Sequence, residues 1–349
     1  MTIKQASAVL CAAAALCARA DAPADTAMQD TTPFHVRVAK WRGDAKGAVS
    51  FYYDDGTDSS FDFVRPVLVK YHVPGTFYIC AGWFKGGEDD PKLARWSCAR
   101  DFPEIVLGDH TFTHGGVTNL ENFVSEIERN GAILRRIAGL PPDAPLSFAL
   151  PGGVAWKITP EEQEKALAEH NEALRHDFGP NIGGDGHGQF AMSDFGKAVK
   201  ALDRAEAEGS WQSLLFHGVG GDWLRYPAAD HEKLIRETAA RVAQGRLWAG
   251  AESEVRRYSL ARDAAKVDAA GPYAGADSDF FQFVVSVAGD APRDVSLTLV
   301  ADVPQDWVSA TVEAPGAEPF KRPVIDGKAT FDIPPLGRGF AAVTLRKGR

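Results

Sequence analysis

Between residues 45 and 262 the apolar positions of this chain alternate between two patterns. One is the short continuous run: residues 47–53 (GAVSFYY), 75–80 (GTFYIC), 105–108 (IVLG), 145–150 (PLSFAL), 211–217 (WQSLLFH) and 247–251 (LWAGA). Runs this short, rich in β-branched and aromatic residues, predict buried strands. The other is recurrence every three or four positions, which predicts helices with one covered face. Across residues 61–72 that face is Val64, Val67, Leu68 and Tyr71, with Pro66 tolerated in the first turn. A second face runs through Phe123, Ile127, Leu134 and Ile137, opened by the capping box Thr118-x-x-Glu121 and stopped at residues 139–142. Residues 160–174, 193–208, 228–244 and a last segment reaching Arg262 are predicted to be helical, and 176–183 to hold a further short strand. Residues 81–102 show no period and predict an insertion loop.

Strands alternating with helices imply an α/β fold with a parallel sheet, and six or seven such units suggest a barrel. After Arg262 the pattern changes. Residues 264–277 (AAKVDAAGPYAGAD) are small and linker-like. Residues 281–287, 295–300, 307–312, 329–333 and 341–345 then alternate as strands do between Pro/Gly turns, predicting a C-terminal β-sandwich. At the other end, Lys4, an apolar stretch over 6–18 and the triplet Ala18-Arg19-Ala20 have the three regions of a cleavable export signal. That stretch is too short and alanine-rich for a membrane span, so no transmembrane segment is expected after cleavage. The expected division is a signal peptide at 1–20, a leader at 21–44, a barrel at 45–262, a linker at 263–277 and a sandwich at 278–349. The product is expected to be secreted or periplasmic.

Composition adjusts this picture modestly. Apolar residues at 45% and charged residues at 24% are ordinary globular values. A formal net charge of −9 without any Lys/Arg run makes nucleic acid an improbable partner and favours a neutral or weakly charged substrate. Cys80 and Cys98 would outlast signal cleavage. In an oxidising compartment they are expected to bridge, stabilising the fold by about 3 kcal/mol. The alternative is two separate thiols, one buried at a strand end and one in a loop.

The candidate chemistry centres on residues 108–116 (GDHTFTHGG), which set His110 and His114 four positions apart. In a helical turn, or a loop wound like one, such positions point the same way. Alone, such a pair usually means a polar surface. Upstream, residues 49–56 (VSFYYDDG) end a β-type run in Asp54 and Asp55. Two histidines and one carboxylate, with a fourth position open to water, are a recurring ligand set for catalytic zinc. The spare carboxylate is then free to act as a base. Asp54, Asp55, His110, His114, the 151–153 turn and His217 all fall at or just past predicted C-terminal strand ends, the rim where barrel active sites are built. On position alone His217 reads equally as a hydrogen-bonded residue at a strand end. Trp83, Trp96, Trp156 and Trp223 lie in or near rim loops, where an indole stacks on a sugar or simply packs. Trp223, with Pro151, is the one assigned to substrate. Trp307 is expected in the sandwich core, His231 on a polar helix face and His187 in a solvated loop.

The ordered set DDG, HTFTH, FALPGG and LLFHGV resembles the polysaccharide deacetylases, the NodB-homology domain or carbohydrate esterase family 4, over roughly residues 45–262. The resemblance implies a distorted (β/α)7-type barrel that binds a divalent metal, usually zinc, and removes acetyl groups from N- or O-acetylated glycans. It implies that Asp54 is the catalytic base and that Asp55, His110 and His114 hold the metal. His217 would be the general acid, and the N–H of Gly152 an oxyanion donor. The chain departs from the pattern at Ala149, where the family often has an arginine that orients the base. The family's fourth motif, an aspartate followed by a tryptophan, has only Asp177 as a candidate. Two other readings remain beside deacetylase action on a polysaccharide or oligosaccharide. One is an O-acetyl esterase of the xylan type; the other is an impaired glycan-binding protein that keeps the fold, favoured only by Ala149.

Overall fold

A computed structural model describes residues 35–175, 195–270 and 280–348. The export signal at 1–20, the 176–183 strand, Asp177 and His187 lie outside the described residues.

The chain enters through β1 (Val36–Val38), then lays down β2 (Gly47–Tyr53), β3 (Gly75–Ile79), β4 (Ile105–Asp109), β5 (Leu146–Phe148), β6 (Glu172–Leu174), β7 (Trp211–Phe216) and β8 (Leu247–Ala249). Strands β2 to β8 form one parallel sheet in the order β6-β5-β4-β3-β2-β7, with β8 also on β2. Strand β2 is the hub. All seven of its residues are buried, and it pairs with β3, β7 and β8. Among the described residues the sheet is a half-barrel with β6 and β7 at its edges.

Helices α1 (Arg65–Tyr71), α2 (Pro91–Ala94), α3 (Leu120–Ala138), α4 (Pro160–Glu169), α5 (Phe195–Glu208), α6 (Ala228–Ala243) and α7 (Glu252–Asp263) accompany the sheet. Their apolar stripes, such as Leu68, Ile133, Leu134, Leu202 and Leu234, form one buried cluster with Val49, Phe51, Tyr53, Phe77 and Leu107 of the strands. Each such fully buried side chain stabilises the fold by about 1.5–3 kcal/mol relative to exposure.

Helix α3 buries Phe123, Ile127, Leu134 and Ile137 as their spacing requires. It starts one residue later than the expected capping box: Asn119 is the cap, its side chain accepting from the Asn122 N–H at 2.8 Å. Residues 81–102 are not a plain loop. They contain α2 and a buried Trp96, which packs 4.9 Å from Phe77 and 5.1 Å from Phe61. The helix expected over 160–174 ends at Glu169, because Asn171 takes a left-handed conformation (φ 55°) and turns the chain into β6.

Cys80 and Cys98 are free thiols, contrary to the expected bridge. Buried Cys80 donates to the His110 carbonyl at 3.1 Å instead.

The C-terminal region holds β9 (Ala265–Ala270), β10 (Phe280–Val287), β11 (Leu297–Asp302), β12 (Ser309–Glu313), β13 (Phe320–Ile325), β14 (Lys328–Ile333) and β15 (Phe340–Lys347). With β1 they make a single antiparallel path, β1-β11-β14-β13-β12-β15-β10-β9, that is barrel-like where two facing sheets were expected. Strand β13 carries the path round a corner, pairing β12 through Pro323 and β14 beyond it. Two strands of this sheet come from segments read as leader and linker: β1 pairs β11, and β9 pairs β10. A three-residue strand is too short for alternation to show, and the alanines of β9 mute its pattern. Trp307 is buried and packs 5.4 Å from Phe281. Among the described residues, no helix is long and apolar enough to cross a membrane.

Candidate active site

Strand register assembles the site. Tyr53 pairs with Phe216, so Asp54 and His217 emerge side by side from β2 and β7, and the Asp54 N–H donates to the Phe216 carbonyl at 2.9 Å. Asp109 pairs with Phe148, so His110 leaves β4 beside Ala149 at the end of β5. Phe148 pairs in turn with Leu174, which sets Arg175 beside Ala149 on the other side. All of these residues share the C-terminal edge of one parallel sheet.

Asp55, His110 and His114 converge, each offering a ligand atom within 4.8 Å of the others. The His110 Nδ1–H donates to the Ala149 carbonyl at 2.9 Å, leaving Nε2 as the free ligand nitrogen. That Nε2 lies 3.3 Å from Asp55 Oδ1, and the His114 Nε2 lies 3.5 Å from the same oxygen. Asp55 Oδ1 is buried without a hydrogen-bond partner among the described residues, and its other oxygen accepts from the Trp223 indole N–H at 2.7 Å. A buried anionic oxygen left so is costly unless a cation meets it. The residues present therefore fit a divalent cation.

The HTFTH segment is a loop and not a helical turn. Thr111 (φ 61°), His114 (φ 57°) and Asp55 (φ 74°) all occupy the left-handed region, at a cost of about 1–2 kcal/mol each. The histidine rings still close to 5.0 Å. The loop is tied down: the Thr111 N–H donates to Asp109 Oδ1 at 2.7 Å, and the His114 N–H to Thr111 Oγ1 at 3.0 Å.

Asp54 is buried beside this cluster, its Oδ2 4.0 Å from His110 Nε2. Burial alone would raise its carboxyl pKa. The Arg175 guanidinium, with His110 and His217 nearby, outweighs burial and holds it below the ordinary range. Asp55 is held at about 2, His110 and His217 again overcoming burial. Arg175 grips Asp54 with both arms, Nη1 to Oδ1 at 2.5 Å and Nη2 to Oδ2 at 3.0 Å. Sequence reasoning missed it, because Arg175 follows a segment read as helix and only the β5–β6 register brings it to the rim.

His217 is buried; its carbonyl accepts from Ser60 Oγ at 3.1 Å, and its Nδ1 has no partner among the described residues. Gly152 sits in an exposed bend past β5, after the buried Pro151, whose carbonyl accepts from the Trp156 indole at 3.2 Å. Trp83 and Trp223 are 41% and 46% exposed and meet edge-on at 5.8 Å, with Trp83 5.2 Å from the His114 ring. Trp96 and Trp156 pack elsewhere, Trp156 at 5.7 Å from Phe123. His231 is not a solvated helix position: it is fully buried under β2, 2.8 Å from the Tyr53 hydroxyl, and burial pushes its pKa down to about 3.

Residues 42–182 match the family model for polysaccharide deacetylase, so the resemblance carried by the first three motifs holds. The LLFHGV stretch, with His217, lies beyond the matched segment. No curated protein matches the sequence. Among solved structures, a family 4 carbohydrate esterase from Streptomyces lividans in complex with acetate is similar at 19% identity and TM-score 0.38, over 59% of this chain and 93% of that one. A peptidoglycan N-acetylglucosamine deacetylase, Bc1960, aligns at 19% identity and TM-score 0.39, over 61% and 88%. A T48 deacetylase with substrate aligns at 16% identity and TM-score 0.42, over 60% and 90%.

Proposed function

We propose that this protein is an exported, metal-dependent hydrolase that removes acetyl groups from a polysaccharide or oligosaccharide. The observation that carries the reading is the convergence of Asp55, His110 and His114 on one point, with a buried carboxylate, Asp54, directly beside it. A divalent cation held by those three residues, zinc in our reading, would acidify a water and polarise the acetyl carbonyl. Asp54, kept ionised by its neighbours, accepts the proton that water gives up. Its Oδ2 lies 4.0 Å from His110 Nε2. The Gly152 N–H is assigned to the developing oxyanion. His217, emerging from the strand next to Asp54, is assigned to protonate the departing amine or alkoxide. Trp83 and Trp223 offer a half-exposed aromatic corner beside His114, suited to the apolar face of a sugar ring.

The same residues serve amide and ester cleavage, so N-acetyl and O-acetyl glycans both belong in the test. The binding-protein reading rested on Ala149 alone, and it weakens because Asp54 does meet an arginine, from a different strand. The experiment is acetate release by zinc-reconstituted protein from chitooligosaccharides, peptidoglycan and acetylated xylan. Release from one class, reduced by about a hundredfold or more in Asp54→Asn, is expected. Turnover unchanged in Asp54→Asn would show that another group is the base.

A further inference from the structure

Arg175 occupies a place that the local sequence does not announce. Its N–H donates to the Phe148 carbonyl at 2.8 Å, fixing it as the β6 neighbour of Ala149. Ala149 is fully buried in a small cluster with Tyr52 and Tyr78. The Arg175 guanidinium crosses that same cluster, 4.8 Å from the Tyr78 ring centre and 5.3 Å from that of Tyr52, before reaching Asp54. Both side chains of the pair are nearly water-free, 6% and 5% exposed.

We propose that Arg175 is the positioning residue for Asp54, supplied one strand over from Ala149, and that the small side chain at 149 leaves room for it. The inference rests on the proposed role of Asp54 as base. A planar fork that bonds both carboxylate oxygens fixes the plane of the carboxylate as well as its charge, which a point charge does not. The guanidinium bonds each carboxylate oxygen, and Oδ2 lies 4.0 Å from His110 Nε2. The Tyr52 and Tyr78 rings add cation–π contact to the guanidinium. Removing the guanidinium would leave a buried anion unpaired, so part of any loss in a truncation variant would be structural. Lysine separates the two effects, because it keeps the charge and gives up the fork.

The test uses full-length zinc-loaded protein carrying Arg175→Lys, Arg175→Ala or the exchange Ala149→Arg/Arg175→Ala, with acetate release on the best glycan and 4-nitrophenyl acetate as the probe. In Arg175→Lys, kcat is expected to fall about tenfold or more, with KM and bound zinc unchanged. In Arg175→Ala, added guanidinium is expected to restore part of kcat, and it is expected to do nothing for Asp54→Asn. Wild-type kcat in Arg175→Lys, or an Arg175→Ala loss that guanidinium leaves untouched in a folded, zinc-loaded protein, overturns the proposal. If the wild type is silent on every probe, the proposed function fails instead, and crystal structures of wild type and Arg175→Lys carry the test. An Asp54 carboxylate turned beyond about 20° in the variant supports positioning, and an unmoved one overturns it.

Discussion

At the scale of single residues, the site separates groups that would hold the metal from groups that would use it. Asp55→Ala or His110→Ala should lose bound zinc and activity together, whereas Asp54→Asn should keep zinc, measured as stoichiometry after gel filtration. Zinc lost in Asp54→Asn would mean that Asp54 is itself a ligand. Trp223 links the two functions through its N–H on Asp55 Oδ2. Trp223→Phe keeps an aromatic surface but removes that donor, and is expected to weaken zinc affinity about tenfold in chelator competition. Equal affinity would reduce Trp223 to a surface for substrate. Asp54, Asp55 and both histidines were legible in the sequence, because short motifs at strand ends carry their own chemistry. Arg175 was not, and Trp83 stood out only as one of four rim-loop tryptophans, with nothing to single it out. Their roles depend on which strands and loops become neighbours, and local spacing holds no record of that.

At the scale of elements, the strands were legible wherever a run was long and wholly apolar, as in β2 and β7, which match the expected spans within a residue. Strand β6 was hidden because a buried acid, Glu172, stands where an apolar residue would have marked it. That acid has a consequence for stability. Glu172 and Asp109 lie buried near one another, Asp109 bonded to Asn130 and Thr111, and Glu172 3.4 Å from Arg135. Burial raises both carboxyls above the ordinary carboxylate range, Glu172 further lifted by the Asp109 charge. A carboxyl whose folded pKa exceeds its unfolded value holds its proton more tightly when folded. Its contribution is therefore full below about pH 4 and is lost as pH rises through the folded pKa. Glu172→Gln carries no such proton. The Tm difference between wild type and this variant should shift against wild type on going from pH 5 to pH 8; a difference independent of pH would show that Glu172 holds no extra proton in the fold.

At the scale of the whole molecule, the parallel sheet and the C-terminal strands are joined by one apolar cluster. Trp41, Ala48, Trp211, Trp248, Val255 and Tyr258 share it with Phe283, Leu299, Phe331 and Leu345. Polar ties follow the same seam. The Tyr258 hydroxyl donates to the Ala39 carbonyl at 2.9 Å, the Trp41 indole to the Gly209 carbonyl at 3.1 Å, and the Gly43 N–H to Thr298 Oγ1 at 3.0 Å. The seam packs α7 and the N-terminal end of β7, while the proposed active site lies past the opposite ends of the strands. Deleting residues 264–349 would leave three tryptophans and Tyr258 uncovered, and truncating even one such aromatic typically costs about 3–5 kcal/mol. The fragment is therefore expected to aggregate on expression, or to melt well below the full chain, although every proposed catalytic residue is retained. Trp41→Ala in the full chain should lower Tm with zinc stoichiometry and KM unchanged, because it loosens the seam without reaching the rim. A fragment that melts with the full chain would show that the parallel sheet is stable without its antiparallel neighbour. The C-terminal strands would then be free for a separate task, and glycan binding by the isolated sheet would be the experiment to follow.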